Sequence, residues 1–112
     1  MDMDFGVLTD DLETAKQWVE RATGLDAKAK FSTDLGGQYY ALSAPDGETI
    51  DLVQNFDLFE NKPMIDGLES WRIVLFLNEA SETSKIVKAL SSDGSRFEFI
   101  QNRSQKKTLG PA

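Results

Sequence analysis

The chain has 112 residues with neither histidine nor cysteine, and 19 acidic side chains against 12 basic ones give a net charge of −7. That length supports one hydrophobic core. Without imidazole or thiol there is no Ser-His or Cys-His nucleophile pair, no neutral-pH imidazole base and none of the usual nitrogen or sulfur metal ligands, so a binding protein is expected, with no catalytic residue, metal or cofactor.

The composition, 40% apolar and 28% charged, is ordinary for a chain that folds alone. No cationic stretch followed by an apolar run opens the sequence, and no segment approaches the roughly 18 apolar residues of a membrane span. A cytoplasmic protein without membrane contact is expected. The charge is unevenly placed: residues 1–95 hold 18 acids against 8 bases, whereas Arg96, Arg103, Lys106 and Lys107 face only Glu98 beyond them. An anionic body repels nucleic-acid phosphates and steers basic proteins toward itself. The basic stretch from Gln101 onward has no aromatic interleaving and reads as a solvated C-terminus.

In chain order, Phe5 to Leu8 forms a short apolar run that ends at Thr9-Asp10-Asp11. Asp10 is placed to cap a helix, with Glu13 three residues on, as in a capping box. Leu12, Ala15, Trp18, Val19 and Ala22 recur at helical spacing, and Gly24 stands where a left-handed terminating residue is wanted, which predicts a helix over 11–23. Ala29, Phe31 and Thr33 alternate, Asp34-Leu35-Gly36-Gly37 turns the chain, and Gln38 to Ser43 returns as a strand with Tyr40 and Leu42 on one face. Ala44-Pro45-Asp46-Gly47 is a second turn, and Thr49 to Gln54 is the next strand, with Ile50 and Leu52 inward and Asp51 and Val53 outward.

After an irregular stretch over 55–70, the run Trp71 to Leu77 is almost unbrokenly apolar and reads as a central strand covered on both faces. Ser81 is placed to cap a second helix with Thr83, Ile86, Val87 and Leu90 as its buried stripe, and Asp93-Gly94 leads into a last strand through Phe97 and Phe99. The fold class is α+β: two helices on a sheet of about six strands in the order βαβββ-βαβ, one domain over 1–100, and a basic tail over 101–112.

From Asp4 to Asn55 the chain resembles one module of the glyoxalase and bleomycin-resistance group, the vicinal oxygen chelate superfamily. The βαβββ order carries the resemblance, with Asp11-Leu12-Glu13-Thr14-Ala15 opening the helix and Ala44 to Leu52 forming the turn and last strand. It implies metal-ligand positions at Asp4 and Asp51, and by the same spacing places Arg72 at the corresponding position of a second module. A guanidinium does not ligate a metal. This likeness leaves open a small-molecule or drug-binding homodimer. A broader likeness in style, a small acidic α+β chain with an Asn-Phe-Asp segment and an acidic connection before an apolar strand, is to bacterial immunity proteins of contact-dependent growth inhibition. That resemblance implies a protein that binds and neutralises a basic toxin domain, a nuclease being the expected kind.

The segment 46–69 carries Asp46, Glu48, Asp51, Asp57, Glu60, Asp66 and Glu69 against the single base Lys62, interleaved with Phe56, Phe59, Met64, Ile65 and Leu68. Aromatic anchors ringed by acids suit a basic partner, because buried rings supply affinity while charges steer and specify. Asp57, Phe59, Glu60, Asp66 and Glu69 are therefore the expected toxin-binding residues. The bland alternative is a solvated loop whose apolar residues tuck back onto the sheet.

Overall fold

A computed structural model describes residues 1–35, 37–56, 61–81 and 83–103. Its elements are β1 (Met3–Val7), α1 (Leu12–Thr23), β2 (Lys28–Ser32), β3 (Gly37–Ser43), β4 (Thr49–Gln54), β5 (Ile73–Asn78), α2 (Lys85–Ser91) and β6 (Phe97–Asn102), with a single 3-10 turn at Thr33–Leu35. They form the expected α+β arrangement, and every strand pair in the six-stranded sheet is antiparallel, in the order β2-β3-β4-β5-β1-β6.

Alternation along each strand sends one set of side chains to the helices and the other to the reverse face. The helix side gathers Phe5, Val7, Leu42, Ile50, Leu52, Ile73, Leu75 and Leu77 with Ala15 and Val19 of α1 and Ile86 and Leu90 of α2. Gly24 ends α1 at φ 72°, its N–H donating to the Glu20 carbonyl at 2.8 Å, as the left-handed terminator should. The N-terminal expectation is off by one residue. Asp11, not Asp10, is the cap, accepting from Thr14 N at 3.0 Å and Thr14 Oγ1 at 2.6 Å, and these bonds, the hydroxyl first, hold its carboxyl below the ordinary carboxylate range. Thr14 stands at the third helical position from Asp11, which is the register a capping oxygen reaches.

α2 also starts later than expected. Ser84 rather than Ser81 caps it, accepting from Val87 N, and Thr83 lies exposed outside the helix. The third boundary to move is the C-terminal one. β6 runs through Gln101 and Asn102, which pair with Asp4 and Met3, so the domain continues past 100 to Arg103 at least.

β5 is the interior strand its apolar run predicts, with Val74 as well as Ile73, Leu75 and Leu77 fully buried. Val53 points away from Ile50 and Leu52 as expected, yet it too is fully buried. The reason is the row it occupies on the reverse face, Tyr39–Val53–Val74–Gly6. Trp71 lies over one end of that row so closely that a Cβ added to Gly6 would fall 2.2 Å from its ring. By contrast, β2 is an uncovered edge strand. Its Phe31 is 75% exposed, and Lys28 and Lys30 alternate with it.

Candidate functional site: an acidic groove at one end of the sheet

The reverse face is closed differently at its two ends. At the end where β1 finishes and β5 begins, residues 61–71 cross it, pinned by Asn55. This side chain is 1% exposed. Its Nδ2 donates to the carbonyls of Leu68 (2.9 Å) and Trp71 (3.1 Å), and its Oδ1 accepts from the amides of Met64 (3.0 Å) and Ile65 (2.8 Å). One buried amide thus satisfies four backbone groups that have no strand partner, which fixes the segment in a single geometry.

The apolar residues of this segment tuck inward. Leu68 is buried, while Met64, Ile65 and Phe56 are half-buried. The acids point outward: Asp66 and Glu69 are exposed, and one Glu69 carboxylate oxygen is oriented by the Gly67 N–H. Asp57, Phe59 and Glu60 lie outside the described residues. The rest of the acidic segment is elsewhere. Asp46 is exposed at the far turn, Glu48 is 3% exposed there with Oε1 making no hydrogen bond, and Asp51 lies half-buried on the reverse face. The length of β4, roughly 20 Å at ~3.3 Å per residue, separates that turn from Glu69. Contiguity in sequence therefore does not become one surface patch.

What joins Glu69 instead is the β1–α1 connection. Two adjoining hollows, about 230 and 350 Å3, form a groove between that connection and Asn55, Phe56, Pro63 and residues 69–72, and Asp66 lines neither of them. Asp10, Trp71 and Arg72 line both hollows, and Glu69 and Phe56 line the first. Leu8 lines the second and is 43% exposed, a large apolar side chain beside the acids. Sequence reasoning gave Asp10 to the helix cap and so missed it here. The overlooked signal was Thr14, which makes Asp11 the better cap and leaves Asp10 unused. Within the groove the Arg72 guanidinium lies 4.1 Å from the centre of the Phe56 ring.

At the other end the same face is polar. Asp51, Phe76, Asp4 and Gln101 stand in one row across β4, β5, β1 and β6. Asp4, 1% exposed, is bound by Arg103 Nε at 2.6 Å and Gln101 Nε2 at 2.7 Å, and Arg103 also donates to Asn78 Oδ1 at 2.9 Å while lying over the Phe76 ring. Burial raises the Asp51 carboxyl above its ordinary range, opposed by a hydrogen bond from Asn78 and by the Arg103 charge. The two positions suggested as metal ligands do not converge, since β5 runs between them with Phe76 in the gap, roughly 9–10 Å for two strand spacings.

On the helix side Tyr40 donates to Glu13, an interaction that raises the phenol above its usual range, and Trp18 packs half-buried against the core. Both aromatics serve the core. Among the described residues no helix is long and apolar enough to cross a membrane. No known protein family matches the chain, and no curated protein is recognisably similar to it.

Proposed function

We propose that the chain is a non-enzymatic binding protein of the immunity or antitoxin type, which neutralises a basic toxin domain through the acidic groove at the β1–α1 end of the sheet. The observation that carries this reading is the pinned segment: Asn55 ties Met64, Ile65, Leu68 and Trp71 together, Asp66 and Glu69 are exposed on that segment, and Glu69 shares a hollow with Asp10 beside the exposed Leu8. A surface ordered before contact loses less entropy on binding, and an exposed apolar side chain beside charged and polar groups has the anatomy of an interface core and rim. If the partner is a nuclease, carboxylates set where substrate phosphates would lie exclude the substrate by repulsion as well as by bulk.

The dimeric small-molecule reading has less support. Its implied ligands Asp4 and Asp51 stand two strands apart, and Asp4 is already engaged by Arg103 and Gln101. The test is a binding-rate measurement against the basic protein that the tagged chain captures from its native host. The triple variant Asp10→Asn, Asp66→Asn, Glu69→Gln is expected to slow association about tenfold at low salt and much less at 0.5 M salt. An unchanged association rate removes this groove as the binding face.

A further inference from the structure

We propose that the groove is a receptor for an arginine side chain, with Arg72 as its resident placeholder. The inference rests on the reading above for the class of partner and adds the chemistry by which that partner is recognised. Three observations lead to it. First, the chain already keeps a guanidinium there: Arg72 lies face-on to Phe56 at 4.1 Å, and among the described residues no ion pair joins it to a carboxylate. What holds it is the ring, whose negative face attracts a flat, weakly hydrated cation.

Second, the hollows on either side of Arg72 are bounded by a second aromatic, Trp71, with carboxylates of Asp10 and Glu69 at the rim. Glu69 has one oxygen fixed by the Gly67 amide, which orients the carboxylate in advance of any ligand. A planar fork with five donors can meet those carboxylates edge-on while its face rests on a ring, whereas an ammonium offers only a hydrated point charge. Third, the walls do not need to move to admit a ligand, since Asn55 fixes the loop from below and Trp71 is seated on the backbone at Gly6. An incoming arginine either lies beside Arg72 or takes its place on Phe56.

The experiment uses the whole chain and needs no natural partner: an NMR titration with arginine amide, then lysine amide, at matched ionic strength. Saturable shifts at the Trp71 indole N–H and the Gly67 amide are expected, with arginine binding about fivefold more tightly than lysine, the factor that corresponds to roughly 1 kcal/mol of stacking. Asp10→Asn with Glu69→Gln should weaken arginine about fivefold, and both residues are exposed, so the fold is not at risk. Phe56→Leu should abolish the preference for arginine over lysine. Arg72→Gln should tighten arginine binding by emptying the ring, and weaker binding in that variant overturns the placeholder role. Equal, unsaturated shifts for both amides, spread over remote acids such as Asp26 and Asp46, overturn the receptor altogether. Saturable arginine binding by a chain that captures no toxin domain would leave the receptor standing and remove the immunity reading alone.

Discussion

The two ends of the reverse face solve one problem by different means. Both lie over strands whose helix side is apolar, and both must shield backbone and side chains that no helix covers. At the groove end Val53 and Val74 are fully buried, and the cover over Gly6 is Trp71, part of a chain segment held by a neutral amide, Asn55. At the other end it is a single side chain, Arg103, bound to the buried carboxylate of Asp4. A neutral amide that meets four backbone groups has little desolvation to recover, whereas a buried ion pair must recover a large one. The difference teaches where each end is vulnerable: the polar end depends on one charge, and the groove end depends on several weak bonds and a close ring contact.

Removing the charge tests the contrast most severely. Arg103→Ala should leave Asp4 buried without its counter-ion and cost about 3–5 kcal/mol in chemical denaturation, and Asp4→Leu combined with Arg103→Met should recover most of it. A single-site loss below 1 kcal/mol would mean that the pair is a surface contact in energetic terms. Next in size is Asn55→Ala, which strands the Met64 and Ile65 N–H groups and the Trp71 C=O, the Leu68 C=O keeping the Trp71 N–H, and is expected to cost about 2–4 kcal/mol. It should also abolish groove binding, because the segment that displays Glu69 loses its anchor.

Gly6→Ala sharpens the picture at the same end. A methyl group 2.2 Å from the Trp71 ring forces that ring away, for about 1–3 kcal/mol as overpacking, with a red shift of Trp71 emission as the readout. The smallest effect belongs to Asp51. Its folded-state carboxyl titrates above its unfolded one, so the folded chain holds the proton more tightly. The ionised group therefore opposes folding as pH rises through the carboxylate range, and that opposition vanishes in acid. Asp51→Asn should raise the melting temperature slightly at pH 7 and leave it unchanged near pH 3.

Much of this architecture was legible from local pattern. The stripe of Ala15 and Val19, the left-handed Gly24, the 44–47 turn and the interior strand within Trp71 to Leu77 are all statements about residues close in sequence, and each was read correctly save that the strand begins at Ile73 rather than Trp71. What escaped was set by distant contacts. Val53 looks solvent-facing until Trp71 and the pinned segment cover its row. The end of β6 looks like a free tail until Gln101 and Arg103 reach Asp4, about a hundred residues earlier. The acids of 46–69 were grouped because they are consecutive, but a strand lies between them, and the spatial companion of Glu69 is Asp10. Nothing local marks Asn55 as the pin, because its four partners lie 9 to 16 residues downstream.

The slot that β1 fills, between β5 and β6, also dictates when the molecule can form. β1 gains one neighbour when β5 is made and the other only when β6 is, so the ladder around Phe5 and Asp4 stays incomplete from their synthesis until that of residue 103. At about 5–20 residues per second that interval lasts roughly 5–20 seconds. A sheet arranged this way closes only when its sixth strand has been made.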